Sequence, residues 1–185
     1  MSAGAANGRV VIVYESMFGS TRRIAEAIAE GMRGGPDVTV LPVKDAPETF
    51  PDADAIVVGA PTHVHGLSRP STRAEAGRWG DDPDRALTLE PDAEGIGMGE
   101  WLDSCGTLPG LFAAFDTRAD MTELFSGSAA AALDKRLRAA GSRRFADRAS
   151  FLVDKDSALE AGELERARAW GGTLAQAVGS RAGAR

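Results

Sequence analysis

Four small or hydroxyl-bearing residues, Ser16, Gly19, Ser20 and Thr21, interrupt a chain that is apolar before them and helical after them. Hydroxyls around a glycine at a helix start suit an anion, because the first helical N–H groups lack intrahelical partners and that helix end is positive. The glycine lets the backbone approach its ligand closely. The same residues also read as a plain N-cap, worth about 1 kcal/mol. The spacing is neither the G-x-x-x-x-G-K-[ST] of a nucleotide-triphosphate loop nor the G-x-G-x-x-G of a dinucleotide loop. Neutral donors of this kind suit a monoester phosphate.

Two further stretches carry residue types able to do chemistry. His63 and His65, the only histidines, stand two apart in VVGAPTHVHG, Val57 to Gly66. Imidazole titrates near neutrality and so suits hydrogen bonding or proton relay; without a third ligand the pair does not make a metal site, and no metal is expected. Asp116, Thr117 and Arg118 form the other set. Arg118 has nearby partners of its own in Asp116 and Asp120, with which it could simply pair at the surface. Cys105 is the single cysteine, which excludes an intrachain disulfide or a cysteine metal cluster. It reads as a partly buried apolar side chain.

These residues need elements to hold them. Val10 to Tyr14 is a β-branched run, the pattern of a strand buried on both faces. Ile24, Ala25, Ile28, Ala29 and Met32 then share one helical face, and Gly34, Gly35 and Pro36 end that helix. Val38 to Val43 and Ala55 to Ala60 read as the second and third strands, with Pro47 and Pro51 limiting any helix between them. Leu111 to Phe115 reads as a fourth strand and Phe151 to Val153 as a short fifth, with helices over Ser128 to Ala140 and Glu163 to Val178. The alternation predicts an α/β fold, a doubly wound five-stranded parallel sheet with helices on both faces. The polar sets fall after strands one, three and four, at the ends where open α/β sheets bind ligands. Leu67 to Leu108 is a long insertion between strands three and four, partly helical at its start and again at EWLDSCG. Residues 9–178 are expected to form one domain, with 1–8 and 179–185 as flexible termini.

The 185-residue chain carries a net charge of −6, which argues against a general nucleic-acid binder. Lys135, Arg136, Arg138, Arg143, Arg144 and Arg148 are a local basic cluster, either a solvated helix face or a docking patch for an acidic partner. No apolar run approaches membrane-spanning length and the N-terminus has no apolar signal core, so no membrane partner and a cytoplasmic setting are expected.

The stretch YESMFGSTRRIA resembles the phosphate loop of flavodoxin-like FMN proteins, with its S/T-x-x-G-x-T pattern, and in particular that of flavodiiron modules and flavodoxin-like quinone reductases. VVGAPTHVHG is similar to the G-[SA]-P-T-x-x-x-G segment that lines the flavin ring in those proteins. The resemblance implies the strand order 2-1-3-4-5 and FMN as cofactor. The phosphate would sit on Ser16, Met17, Gly19, Ser20 and Thr21, with Phe18 also in the cofactor site, and the ring along Pro61, Thr62, His63, Val64, His65 and Gly66. Asp116, Thr117 and Arg118 would form a third wall. His63, His65 and Arg118 are the catalytic candidates. A cation near the ring, from Arg118, Arg69 or Arg73, would favour the anionic two-electron reduced form.

This chain departs from the family where Phe18 replaces a third hydroxyl and where histidines replace Trp or Tyr in the second loop. Tyr14 is poorly placed to cover the ring. Trp79, Trp101 or Phe125 are the alternatives, or a second subunit in a homodimer. The implied function is electron transfer between redox partners, whether a partner protein or a small-molecule acceptor. An FMN-dependent NAD(P)H/quinone-type oxidoreductase is the enzyme alternative, and a flavin-free interaction module the structural one.

Overall fold

A computed structural model describes residues 8–182. The expected flexible ends fall partly on residues 1–7 and 183–185, which lie outside the described residues. Six parallel strands alternate with helices: β1 (Arg9–Tyr14), α1 (Ser20–Gly31), β2 (Asp37–Pro42), β3 (Ala55–Pro61), α2 (Pro70–Gly80), α3 (Met98–Ser104), β4 (Leu111–Ala119), α4 (Glu123–Ser126), α5 (Ala129–Ala139), β5 (Arg143–Arg144), β6 (Ala149–Val153) and α6 (Glu163–Ala182). The sheet order is β2-β1-β3-β4-β5, with β6 also on β4.

The apolar runs form the centre of the sheet because both of their faces are covered. Val10, Ile12 and Val13 are fully buried, as are Ala55 to Val58. On one face they pack against Ile24, Ile28 and Met32 of the first helical segment and Ala167 and Leu174 of α6. On the other they meet Met98 and Trp101 of α3 and Leu133 and Leu137 of α5. α1 and α6 cross at glycines: a Cβ on Gly31 would lie 2.0 Å from the Arg168 carbonyl oxygen, and one on Gly171 2.2 Å from that of Ile28. That close approach seats the C-terminal half of α1 against α6.

The order 2-1-3-4-5 matches the expectation, with the fifth position divided. β5 pairs with Leu111 and Phe112 at the start of β4, and β6 with Phe115 to Ala119 at its end. The β6 pairing carries β4 four residues past Phe115, so Asp116, Thr117 and Arg118 are strand residues and not the loop expected. Val43 begins a 3-10 turn and does not end β2. α6 continues past Val178 to Ala182. Most of the basic cluster is spent internally. Arg136 meets Asp103, Arg138 and Arg144 meet Asp134, and Arg148 meets Glu123. No helix among the described residues is long and apolar enough to cross a membrane.

Candidate functional site

The first loop turns at Gly19, whose φ of 89° is in the left-handed region that favours glycine. Gly19 is itself the cap residue of α1 and no side chain caps the helix, so Ser20 is not the N-cap. Its hydroxyl donates to the Ser157 carbonyl at 2.6 Å. Ser16 Oγ accepts the Gly19 N–H at 3.1 Å, which closes the loop on itself. Thr21 and Thr117 share a buried hydroxyl–hydroxyl bond of 2.8 Å. The N–H groups of the first turn of α1 have no intrahelical acceptor by the geometry of any helix start. Met17 is buried, and its carbonyl accepts the Glu90 N–H at 2.8 Å.

The second loop is a tight turn. His63 and Gly66 exchange both backbone hydrogen bonds at 2.8 Å, and Val64 and His65 between them have φ of 39° and 72°. Two successive left-handed residues are the signature of a mirror-image hairpin turn, which normally takes Asn or Gly. A β-branched Val64 there is a conformational outlier of the kind that surrounding structure must enforce. That structure is present. Thr62 N–H donates to the Thr117 carbonyl at 2.9 Å, and His65 bridges to Gly127, where a Cβ would lie 2.1 Å from the His65 Cα. The two histidines part company. His63 is half-buried and lines a cavity, whereas His65 is exposed and does not. Burial first, and the Arg73 charge second, push the His63 imidazole below its ordinary value, so it is neutral at physiological pH.

Asp116 has no exposed surface and so supports the site from behind. Its Oδ2 accepts from Thr62 Oγ1 at 3.3 Å, Ser128 Oγ at 2.6 Å and the Ala130 N–H at 3.0 Å, while Oδ1 has no partner. Thr62 Oγ1 also accepts the Ala129 N–H at 3.0 Å, which joins the second loop to α5. Arg118 does not pair with Asp116 or Asp120. It donates to the Met121 carbonyl and to Ser126 Oγ, and its buried Nε has no partner. Asp116 is unavailable because it is fully buried and turned toward Thr62, Ser128 and Ala130.

Residues from all three loops meet at a cavity of about 310 Å³. Phe18, Ser20 and Thr21 contribute from the first, Pro61 to Val64 from the second, and Thr117 and Arg118 from β4. Ser16, Gly19, His65, Gly66 and Asp116 are not part of its lining, and Ser16 lines a separate hollow beside β2. One face of α2 supplies Thr72, Glu75, Ala76 and Trp79, spaced as one side of a helix. Of the aromatics expected to cover the ring, Trp79 is thus the one seen at the cavity, beside Phe18 of the first loop. Trp101 is buried elsewhere, edge-on to Phe50 with its Nε1 on the Pro47 carbonyl. Tyr14 lines a separate hollow beside β2, and the Phe125 side chain lies outside the described residues. Sequence reasoning missed the loop after β6, where Asp154, Lys155 and Ser157 line the same cavity. Its only local signal was a D-x-D-S turn, which says nothing of its neighbours.

The insertion is strapped down at both ends. Glu15, buried at the end of β1, accepts the Met98 N–H at 2.7 Å and the Ser68 hydroxyl. Ser68 Oγ in turn accepts from Arg73, and Arg73 forms a bridge to Glu100 at 2.6 Å. Arg73 is 2% exposed and committed to this network, so it does not serve a ring as one expectation had it. Burial raises the Glu15 carboxyl above its ordinary value despite these bonds. Farther along, Glu90 pairs with Arg22 at 3.3 Å and Asp92 with Lys44 at 3.3 Å, which lays the 88–94 stretch over the first loop. Cys105 is half-buried, and burial with nearby Glu48 pushes its thiol up to about 11, far from a reactive thiolate.

The donor set fits a phosphate joined to a flat apolar body: free helix-start N–H groups and hydroxyls at one end, Trp79, Phe18 and Pro61 beside them, and an orphaned arginine Nε. Residues 11–71 match the family model described as flavodoxin domain. The chain is 45% identical over 67 residues to the coenzyme F420-H(2) oxidase of Methanothermobacter marburgensis, covering 33% of this chain and 17% of that protein. It is 32% identical over 102 residues to an NAD(P)H dehydrogenase (quinone) of Geotalea uraniireducens, covering 38% of this chain and 50% of that protein. The chain thus spans half or less of the length of these curated relatives. A solved flavodoxin from the domain Archaea superposes with a TM-score of 0.61 at 20% identity, over 92% of this chain and 98% of that one. A metal-soaked flavodiiron core from Synechocystis gives 0.62 at 20% identity, over 96% and 37%. At that identity the structural likeness shows the fold.

Proposed function

We propose, from the premise of a flavodoxin-like domain, that this chain holds FMN noncovalently and passes electrons between redox partners. The observation that carries the reading is the convergence of three strand ends, β1, β3 and β4, on one cavity bounded by a helix start. FMN, when bound, supplies the electron chemistry. The protein's part is binding, orientation and local charge. First-turn N–H groups of α1 and the Thr21–Thr117 hydroxyl pair are the phosphate donors, with Gly19 keeping the backbone close. Trp79 and Phe18 offer apolar surface to a planar ring and exclude water from it. Arg118, held by Met121 and Ser126 through one terminal nitrogen, is a cation on the β4 side of the cavity whose Nε is unpartnered. Neutral His63 is a hydrogen-bonding group and not a charge.

Arg118 and the α2 wall also favour a second reading, an FMN-dependent NAD(P)H/quinone-type oxidoreductase. A fixed cation beside a covered ring suits paired-electron chemistry better than single-electron shuttling. The interaction-module alternative draws little support from the basic helix, whose arginines are largely paired within the chain.

The test is the visible absorption spectrum of pure protein incubated with FMN and then desalted. Retained flavin absorbance supports the proposal, and a colourless protein overturns it. Anaerobic titration with reductant then separates the readings. Turnover of a quinone with NAD(P)H favours the enzyme, and reduction only through a protein donor favours the carrier.

A further inference from the structure

We infer that Lys155, on the loop after β6, is the counter-charge for the phosphate end of this cavity; the inference rests on the reading that the cavity takes FMN. Several neutral donors around the first loop are already spent. The Gly19 N–H goes to Ser16, the Ser20 hydroxyl goes to the Ser157 carbonyl, and the Thr21 and Thr117 hydroxyls bond each other. One proton of that last pair and the first-turn N–H groups of α1 remain. A phosphate dianion leaving water for such a site gains most from a charged donor.

Four charged residues line the cavity, Arg118 and Lys155 against Glu75 and Asp154. Arg118 is committed to Met121 and Ser126 beyond the end of β4. Lys155 sits two residues from Ser157, whose carbonyl touches Ser20, so it belongs to the α1 end. Its backbone is held by a built turn. The Asp154 N–H donates to the Ala158 carbonyl at 2.9 Å, and Asp154 Oδ1 accepts the N–H groups of Asp156 and Ala158 at 2.9 and 3.0 Å. Ser157 completes the turn at a φ of 60°. The side chain is 88% exposed and, among the described residues, its ammonium pairs with neighbouring Asp156 at 2.8 Å, on a stem long and flexible enough to change partner. At Gly19 itself the charge is balanced: Glu90 Oε1 stands 3.0 Å and Arg22 Nη2 3.5 Å from where a Cβ would be, and the two are paired with each other, so Arg22 is already spent on Glu90. Without Lys155 the cavity keeps one cation against two carboxylates.

The experiment compares wild type, Lys155→Met and Lys155→Arg by fluorescence titration with FMN and with riboflavin, which lacks the phosphate, at low and high salt. Lys155→Met is expected to weaken FMN binding about tenfold, to flatten its salt dependence and to leave riboflavin binding unchanged. Lys155→Arg is expected to keep most of the affinity. Equal FMN affinity and salt dependence in wild type and Lys155→Met overturns the inference, as does an equal loss for riboflavin. A wild type that binds no FMN overturns the underlying reading instead, which the two ligands make plain. Because Lys155 is exposed, unchanged thermal melting of the variants confirms that folding is intact.

Discussion

Ser20 and Thr21 are adjacent hydroxyls on the first turn of α1 with different duties. The Ser20 hydroxyl donates its hydrogen bond to the Ser157 carbonyl, whereas the Thr21 and Thr117 hydroxyls bond each other at the cavity wall. Thr21→Val should therefore weaken FMN by about 1 kcal/mol or more, a several-fold rise in Kd by titration. Ser20→Ala should instead cost about 1 kcal/mol of stability in urea unfolding, with a smaller effect on Kd, because it leaves the Ser157 carbonyl without its donor. His63 gives a pH signature. Its folded pKa lies below the ordinary value of 6.5. On acidification below about that value the unfolded chain takes up a proton that the folded chain refuses, so the unfolded state binds more protons and stability falls with falling pH. His63→Gln should remove that component, seen as a smaller loss of stability between pH 7.5 and 5.5 than in wild type.

At the scale of elements, the second loop stores conformational strain and its neighbours supply the restraint. Val64 and His65 hold left-handed backbone because His63 and Gly66 pair, Thr62 is bonded on both sides, and His65 is pinned against Gly127. Val64→Gly should relieve the turn and raise stability by about 1 kcal/mol, measured by thermal melting, since such non-glycine outliers cost on the order of 1–3 kcal/mol. The accompanying gain in freedom should loosen the cavity wall, read as weaker FMN binding. The insertion is likewise an element with a purpose. α2 presents Thr72, Glu75, Ala76 and Trp79 to the cavity, and the buried Glu15, Ser68 and Arg73, with half-exposed Glu100 at the end of the chain, hold that helix to the end of β1. Removing one partner from such a network leaves a buried charge exposed to an apolar surrounding, a costly change.

Across the whole molecule, the site is placed by packing far from it. Gly31 and Gly171 let α1 and α6 touch backbone to backbone, which seats the helix whose other end bounds the cavity. Gly171→Ala should cost about 1–3 kcal/mol in chemical denaturation, as overpacking does, and should weaken FMN binding by shifting the start of α1. Much of this architecture was legible in the sequence. The runs Val10–Tyr14 and Ala55–Ala60, the helical stripe from Ile24 to Met32 and the Gly19 turn are local patterns, and local patterns follow from side-chain periodicity and backbone sterics. They determined the α/β class, the central strands and the first two loops of the site. Contacts between distant segments leave no such periodicity. Only the tertiary structure decided that β6 would extend β4 through Arg118, that Asp116 would face inward, that His63 and His65 would separate, and that Trp79 and Lys155 would reach the cavity from segments 62 and 138 residues apart from Met17. The reason is physical: which side chains share a cavity depends on how strands pair and helices cross, and those choices are made by burial summed over the whole chain.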